Sequence, residues 1–391
     1  MLIKKKTITE EIRESCKLVV ENSRYVKVNF DAINKFLNDF SFELKNWDNS
    51  KLLNTDIHYT EDPLKACYYF FVLDSVNFCF WADKKTEKWT VKYKEQEYSG
   101  YNALAICLKR EAENSNLFIY PYYWAKLFKN EFMRMIYPTY DDLHYIFGEL
   151  KLIEERVTNL REFGENLFEK PLSDLYKTIF WKDLQEKNIQ GKVKEEEKDP
   201  YKLSYKGKND PEKIKDIIVQ ANRDVNKFIN IIIDNFRNFR DTEEYQLKSG
   251  KIIKVGFYKR AQILAHDLFL LYDYYKNNKP DLIQKYPFLE YLNFRNISDL
   301  TAFADYKLPQ YLFYKGILEY SEDLKNMIMN GVYVPAGDVR EVEIRAATVV
   351  AVEEIANRLK KAPSFVDNVL WNLSKKTTDL PPHHKTITIY Y

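Results

Sequence analysis

The sequence predicts a mainly α-helical protein, organised as a single compact domain over residues 1–391. Three observations point to this class. Apolar residues recur at helical spacing through several long segments, signals for β-strands are few, and strands and helices do not alternate as they do in parallel α/β folds. With only 10 glycines and no GxGxxG or P-loop pattern, the sequence also argues against a glycine-rich nucleotide-binding fold.

Three helices stand out. The clearest signal covers residues 210–236, where Asp210 can cap the first turn and apolar side chains form one stripe. A second helix is predicted over 258–275 by the same criterion. A third is predicted to begin at Asp338, which has with Glu341 the spacing of a capping box.

One or two small β-hairpins are the expected β structure. Residues 77–81 and 89–93 are rich in aromatic and β-branched side chains and bracket a charged turn at 83–88. Residues 245–247 and 252–255 bracket a Ser-Gly pair in the same way.

Charge restricts the class of partner. Hydrophobic residues make up 45% of the chain, enough for a sizeable core, and the formal net charge is only +2. Proteins that grip nucleic acid usually carry a strong basic excess, so we expect no direct nucleic-acid partner. A single phosphate on a small molecule needs only one or two cations. The polar, charged stretch at about 182–209 is predicted to be an exposed insertion.

Cysteines and histidines give no sign of a metal site or a cofactor. There are five histidines without an HExxH pattern, and the four cysteines lack CxxC spacing and are predicted to be reduced core thiols: Cys16, Cys67, Cys79 and Cys107. The basic N-terminus lacks the apolar stretch of a signal peptide, and no window is apolar enough to span a membrane. A cytoplasmic protein is the expectation.

The stretch 74–83 can supply a binding site for a flat base. Asn77 can hydrogen-bond the edge of such a base, while Phe78 and Trp81 can stack on its face. A buried aromatic strand would have the same composition, and from the residues alone it is the more common explanation.

A second candidate lies on the predicted helix 258–275. Lys259, Gln262 and His266 share one side of that helix, opposite its apolar stripe. They can form a solvated face, or Lys259 can line a cleft and hold a phosphate or tune the pKa of a carboxylate.

Two further candidates are carboxylates in apolar surroundings. Asp305 precedes a helix and is flanked by aromatic and small residues, which suits either a helix cap or a catalytic acid. Glu341 and Arg345 have the spacing of an ordinary surface ion pair. Glu343, between Val342 and an isoleucine, can be a buried acid or a partner for a substrate hydroxyl or amine.

Together these stretches resemble the queuosine 5'-phosphate N-glycosylase/hydrolase family, also called the queuosine salvage protein family. The matching segments follow the family's order along nearly the whole chain, and the two longest are FYKRAQIL and FADYKLPQ. They are VNFCFW (76–81), EQEYSGY (95–101), EERVTNL (154–160), FRNFRD (236–241), FYKRAQIL (257–264), FADYKLPQ (303–310), EVEIRA (341–346) and IYY (389–391).

The resemblance implies a fold similar to that of helical DNA glycosylases and a metal-free hydrolysis that yields queuine and ribose 5-phosphate. It implies that Asp305 is the essential carboxylate and Lys259 an active-site cation. We further predict that Tyr306 orients Asp305. For contacts with the substrate we predict Asn77, Phe78 and Trp81 around the base, and Glu343 and Arg345 at polar groups.

Two other functions are compatible with these residues. A non-catalytic protein that binds queuosine nucleotides would keep the aromatic pocket but would not need Asp305 or Lys259. A nucleic-acid glycosylase is suggested by fold analogy alone, and the balanced net charge argues against it.

Overall fold

The structure, a computed structural model, describes residues 6–45, 53–167 and 209–391. Helices form most of this part of the chain. The α-helices are, in chain order, Ile8–Asn22 (α1), Phe30–Lys45 (α2), Pro63–Ser75 (α3), Tyr101–Asn114 (α4), Pro121–Ala125 (α5), Lys129–Ile136 (α6), Ile153–Asn166 (α7), Lys213–Gln220 (α8), Val225–Asn235 (α9), Lys259–Asn278 (α10), Pro280–Lys285 (α11), Lys307–Tyr314 (α12), Glu322–Met329 (α13), Val339–Leu359 (α14) and Pro363–Lys376 (α15). The predicted fold class is therefore confirmed.

Short strands form three antiparallel sheets in these ranges. The strands are Val26–Val28 (β1), Thr90–Tyr93 (β2), Gln96–Ser99 (β3), Thr139–Tyr140 (β4), Leu143–Phe147 (β5), Thr242–Gln246 (β6), Ile252–Gly256 (β7) and Leu318–Tyr320 (β8). One sheet has the order β3-β2-β5-β4, and the other two pair β1 with β8 and β6 with β7. This is more β structure than the one or two hairpins expected from the sequence.

Helix α3 lies at the centre of the fold. Asp62 caps it by accepting a hydrogen bond from the third residue of the helix, and Pro63 occupies the first turn. Nearly every side chain of α3 is buried, because α4, α7 and α10 pack around it. A helix that is apolar on all sides belongs in a core. Its C-terminal end carries Asp74 into the interior.

The predicted helix over 210–236 is instead two helices, α8 and α9. Asn222 and Arg223 have left-handed backbone angles, with φ of 51° and 62°, which a continuous right-handed helix cannot contain. Asp224 then caps α9 by accepting hydrogen bonds from its first turn. The apolar stripe was recognised correctly, but the cap within it was not.

The other two predicted helices are confirmed as α10 and α14. Asp338 caps α14 by accepting a hydrogen bond from the main chain of Arg340. Glu341 reaches back to the main-chain N–H of Gly337, at 3.3 Å, and so supports the same turn.

One of the two predicted hairpins is wrong and the other is confirmed. Residues 77–81 form no strand, and β2 pairs with β3 across a turn at Lys94 and Glu95, whose φ angles of 47° and 65° suit a tight hairpin. The hairpin formed by β6 and β7 has the predicted place.

Several other expectations are answered by the described residues. All four cysteines are free and buried, as predicted. The insertion expected at 182–209 falls outside those residues except for Asn209, whose side-chain oxygen accepts a hydrogen bond from the Tyr122 N–H at 2.9 Å. Within the ranges described, no helix combines the length and the apolar character that crossing a bilayer requires.

Gly164 allows α5 and α7 to pack in close contact. A Cβ at this position would meet the main-chain nitrogen of Ala125 and lie 2.5 Å from the carbonyl oxygen of Pro121. We expect Gly164→Ala to lower the free energy of unfolding by about 1–3 kcal/mol, because backbone atoms cannot move aside as a flexible side chain can. Chemical denaturation would measure the change, with Asn166→Ala on the exposed end of the same helix as the control. Equal stability of the two variants would contradict the close packing.

Candidate active site

The Asp305 carboxylate is fixed at the start of α12, where its side chain is 8% exposed. Oδ1 accepts hydrogen bonds from the main-chain N–H groups of Lys307, at 2.7 Å, and Leu308, at 2.9 Å. Asp305 therefore serves as a helix cap. No described residue hydrogen-bonds Oδ2. One oxygen thus holds the carboxylate in place, and the other is free to meet a ligand.

Lys259 lies in the first turn of α10, near enough to Asp305 for the charge of that carboxylate to act on its ammonium group. Its main-chain N–H donates to Oδ2 of Asp241, at 3.1 Å, which fixes the start of the helix. Burial lowers the pKa of Lys259, and the negative charge of Asp305 is the strongest influence opposing that shift. The ammonium has no hydrogen-bond acceptor among the described residues. Its charge therefore acts on Asp305 through space.

Asp367, on α15, is a second carboxylate at this centre. Its Oδ2 accepts a hydrogen bond from the Phe303 N–H, at 2.7 Å. Burial, together with the negative charge of Asp305, raises the pKa of Asp367 to about 8, against the opposing effects of that hydrogen bond and of Lys259. Asp367 therefore carries a proton at neutral pH, close to the Asp305 carboxylate.

This proton makes the stability of the protein depend on pH. Between about pH 4, where an unfolded aspartate ionises, and about pH 8, the native state binds a proton that the unfolded state has released, so stability falls as pH rises. Asp367→Asn keeps an acceptor for Phe303 but cannot ionise. We expect the variant to gain at least about 1 kcal/mol relative to the native protein between pH 5 and pH 8, since one displaced proton is worth about 1.4 kcal/mol per pH unit. Denaturant unfolding at both values would test this, and parallel pH profiles would contradict it.

Asp74 and Asp267 form a second pair of carboxylates, near Lys259. Asp74 is fully buried; Oδ1 accepts a hydrogen bond from Asn77 at 3.2 Å, and Oδ2 has no partner among the described residues. Asp267, on α10, accepts one from the Tyr101 hydroxyl at 3.3 Å. Burial and the charge of Asp267 raise the pKa of Asp74 well above its ordinary value, and burial raises that of Asp267 to about 7. A buried oxygen without a donor indicates a place for a polar ligand group.

Residues 301–306, which form the Asp305 loop, precede α12. Tyr306 of this loop and Trp81 both pack against the ring of His383. The Tyr306 ring lies 4.6 Å from that of His383, and the Trp81 ring lies 6.0 Å from it, measured between centroids. The Trp81 N–H donates to the Thr386 carbonyl, at 3.2 Å, and the Lys151 ammonium lies 4.1 Å from the centre of the Trp81 ring. Both predicted residues are thus close to the candidate centre.

Phe78 lies in the core and not at an accessible surface. Its ring is between the guanidinium groups of Arg156 and Arg260, at 4.3 and 5.2 Å, and it is fully buried. Arg156 also donates to the main-chain oxygens of Val76 and Phe78. These contacts satisfy the main chain with side-chain donors, which explains why no strand forms at 77–81. In this geometry Phe78 supports the site, and the predicted stacking on a base has no exposed face to use.

Glu343 is also placed differently from the prediction. It is fully buried, and its carboxylate accepts hydrogen bonds from the Tyr25 N–H at 2.7 Å, the Val26 N–H at 3.1 Å and the Tyr245 hydroxyl at 2.9 Å. Its oxygens are therefore occupied by the protein and out of reach of a substrate. We assign it the role of holding β1 in place of the predicted polar contact with substrate.

Arg345 links the segments that carry Asp305 and Lys259, through Ala304 and Asp241. It forms a bidentate ion pair with Asp241, at 2.8 and 2.6 Å, and donates to the carbonyl of Ala304, at 3.3 Å. Asp241 in turn accepts from the main chain of Lys259. Because Arg345 is 1% exposed, we assign it a positioning role and not the predicted contact with substrate. Its pairing with Glu341, at 3.6 Å, is likewise buried and not at the surface.

Sequence reasoning missed three of the carboxylates at this centre as functional candidates. Asp74, Asp267 and Asp367 all lie in helices among apolar residues, the same signal that pointed to Asp305. A local sequence pattern cannot show that these three carboxylates and Asp305 lie near one another, because they come from distant parts of the chain. Within the described part of the chain, no group of His, Cys, Asp and Glu side chains is arranged to hold a metal ion.

Comparison with known proteins connects this geometry with a family. A family model described as queuosine salvage protein matches residues 57–191 and 207–391. Proteins named queuosine 5'-phosphate N-glycosylase/hydrolase are 31% identical in Sphaerobacter thermophilus, with 95% of each chain covered, and 30% identical in Dictyostelium discoideum, with 97% of this chain and 98% of the other covered. One from Nematostella vectensis is 29% identical over the same shares. The chain therefore belongs to the queuosine salvage protein family.

Proposed function

We propose that this protein hydrolyses the N-glycosidic bond of queuosine 5'-phosphate and releases queuine and ribose 5-phosphate, as the names of its relatives indicate. The assignment rests on one feature, the Asp305 carboxylate, which is anchored through Oδ1, leaves Oδ2 free and lies next to a buried lysine. The reaction serves queuine salvage. We place it in the cytoplasm, because four free, buried thiols suit a reducing compartment.

Asp305 answers the main demand of the reaction. When the bond between base and ribose breaks, its electron pair leaves with the base and positive charge develops on the sugar, as in other glycosidic cleavages. A water molecule then adds at C1' and loses a proton, and the departing base takes up a proton, so that queuine and ribose 5-phosphate are the products. A carboxylate beside C1' stabilises the positive charge and can orient that water. Because main-chain N–H groups hold Asp305 in place before the substrate arrives, little reorganisation is needed during the reaction.

Lys259 places a positive charge near the Asp305 carboxylate. The negative charge of Asp305 in turn favours the protonated form of this buried lysine. Asp367 retains its own proton, so it adds no second negative charge to the centre. Tyr306 adjoins Asp305 in sequence, and its packing on His383 restricts how the loop can move.

The leaving base places a different demand on the site. Queuine is a 7-deazaguanine and lacks N7, the usual site at which a purine is protonated. Stabilisation of the departing base must therefore come through hydrogen bonds to its pyrimidine edge. Asp267, which is only partly buried, is suited to that edge, and the buried Asp74 and Asn77, joined by a hydrogen bond of 3.2 Å, lie near it. Because burial raises the pKa of Asp267 to about 7, its carboxyl group can hold a proton near neutral pH and hydrogen-bond to the base as negative charge builds on it.

Incubation of the purified protein with queuosine 5'-phosphate, followed by mass spectrometry, tests the function. We expect free queuine and ribose 5-phosphate in equal amounts, and one heavy oxygen in the sugar product when the solvent is ¹⁸O-labelled water. Unchanged nucleotide after prolonged incubation would instead favour a binding protein. Release of queuine from intact tRNA would favour a nucleic-acid glycosylase, which the net charge of +2 argues against.

A further inference from the structure

A chain of two hydrogen bonds reaches Asp267 from the interior of the protein. The imidazole Nε2 of His58 lies 3.1 Å from the Tyr101 hydroxyl, and that hydroxyl donates to Oδ2 of Asp267 at 3.3 Å. His58 belongs to the loop that precedes α3, Tyr101 begins α4, and Asp267 lies on α10. The chain therefore connects three separate segments at the carboxyl group proposed to serve the leaving base.

The rings of His58 and Tyr101 are held in place by aromatic neighbours. The His58 ring lies 5.7 Å from that of Phe70 and 6.2 Å from that of Tyr69, between centroids, and His58 is 5% exposed. The Tyr101 ring packs edge-on against Trp371, at 6.4 Å. Among such neighbours a phenylalanine would fill the position of His58 without the cost of removing a polar imidazole from water. The hydrogen bond to Tyr101 is the contact that distinguishes the imidazole from such a ring.

The proton order along this chain follows from the chemistry of its members. Burial lowers the pKa of His58 to about 4, so its ring is neutral and carries one proton near neutral pH. An ionised Asp267 can only accept hydrogen bonds, and the single proton of the Tyr101 hydroxyl must then go to Oδ2. The oxygen of Tyr101 is left as an acceptor, so the proton of His58 has to be on Nε2 for both bonds to form.

This proton order decides which oxygen of Asp267 can act as an acid. Oδ2 accepts from Tyr101, whereas Oδ1 has no hydrogen bond among the described residues, and the side chain is partly exposed. Because burial raises the pKa of Asp267 to about 7, the carboxyl group takes up a proton near neutral pH. With Oδ2 engaged, that proton belongs on Oδ1. In a buried chain each hydrogen bond polarises the next, so loss of the first bond weakens the last.

We propose that His58 is a positioning residue: acting through Tyr101, it keeps Oδ2 of Asp267 an acceptor and directs the acidic proton of that carboxyl group to Oδ1. The inference rests on the proposed function and deepens it, since it gives a physical cause for the orientation of this carboxyl group toward the departing base. His58 acts without contacting the substrate, because Tyr101 lies between it and Asp267.

Two substitutions separate this role from packing. His58→Phe fills the space of the ring but lacks the N–H, and we expect kcat for queuosine 5'-phosphate to fall about tenfold with KM within about twofold, because the orientation matters as negative charge builds on the base. His58→Gln places an amide N–H near the position of Nε2 and should recover most of the loss. His144→Phe, at an exposed histidine on β5, is the control and should leave both constants unchanged. Equal losses in the two His58 variants would assign His58 to packing alone.

A double-mutant cycle tests whether His58 acts through Tyr101. Tyr101→Phe already breaks the chain, so adding His58→Phe to it should slow turnover by no more than about twofold further. Circular dichroism and denaturant unfolding would establish that the single and double variants are folded under the conditions of the assay. Losses that multiply in the double variant would mean that His58 works by another route, and the inference would be overturned.

The proton order can also be read without catalysis. In protein labelled with ¹⁵N at the histidine rings, the His58 signal is identified by its disappearance in His58→Phe. Above the pKa of Asp267, near pH 8, this signal should report the neutral Nε2–H form, and it should change in Tyr101→Phe. A proton on Nδ1 under these conditions would overturn the inference.

Failure of the inference and failure of the proposed function give different results. If the native protein releases no queuine, the proposed function fails, while the spectra still decide whether His58 donates to Tyr101. If the native protein releases queuine and His58→Phe turns over normally, only the inference fails.

Discussion

Asp305→Asn is expected to release queuine at least about a hundredfold more slowly than the native protein while it folds normally. An asparagine oxygen can still accept the two main-chain hydrogen bonds that Oδ1 accepts from Lys307 and Leu308, so α12 remains capped. What is lost is the negative charge beside the sugar. A hundredfold effect corresponds to about 2.7 kcal/mol of transition-state stabilisation, which is the size seen when one preorganised electrostatic contact is removed.

Single-turnover kinetics with queuosine 5'-phosphate would measure this effect without interference from product release. Asp224→Asn is a suitable control, because Asp224 caps α9 through the same kind of main-chain contacts and carries none of the proposed chemistry. The control should retain native turnover, and the circular dichroism spectra of both variants should match that of the native protein. Native turnover in Asp305→Asn would remove the carboxylate from the mechanism.

Arg345→Met is expected to lower the free energy of unfolding by about 3–5 kcal/mol. The substitution leaves Asp241 buried without its bidentate partner, and an uncompensated buried charge is far more costly than a lost surface ion pair. Because Arg345 also holds the Ala304 carbonyl and, through Asp241, the start of α10, the variant should turn over substrate more slowly even at temperatures where it is folded. Denaturant unfolding and activity at low temperature measure the two effects.

The same helix supplies a control for Arg345→Met. Arg358 forms an exposed pair with Glu354, at 2.6 Å, and Arg358→Met should cost no more than about 1 kcal/mol. Combining Arg345→Met with Asp241→Asn removes both charges, so the double variant should be clearly more stable than the sum of the two single effects predicts. Additive losses would contradict the importance of the buried pair.

Much of the fold could be predicted because helical periodicity and caps are local signals. Helices α10 and α14 and the hairpin of β6 and β7 follow from spacing and turn residues alone. The segment 77–81 could not be predicted in that way, because arginines from distant helices satisfy its main chain. A break such as the left-handed pair Asn222–Arg223 is equally hard to see inside a continuous apolar stripe.

The candidate site divides along similar lines. Asp305 and Lys259 could be named from residue type, position and family resemblance, and the structure brings their charges together. The predicted substrate contacts of Phe78, Glu343 and Arg345 could not be judged from sequence, because only the fold shows that these side chains are buried and already engaged.

The segment that Arg156 and Arg260 hold has a consequence for the local stability of the protein. Arg260 donates to the main-chain oxygens of Asp74 and Ser75, at 2.9 and 2.7 Å, directly beside Lys259 in sequence. The wall of the site between α3 and α10 is therefore irregular in secondary structure and yet tightly fastened. The N–H groups of this segment are also engaged: that of Phe78 donates to the Val76 carbonyl, at 3.1 Å, and that of Cys79 to the Tyr391 carbonyl, at 2.8 Å. Slow amide hydrogen exchange is therefore expected there, where a loop of this length would ordinarily exchange fast. This wall is therefore expected to open only rarely, although it forms neither helix nor strand.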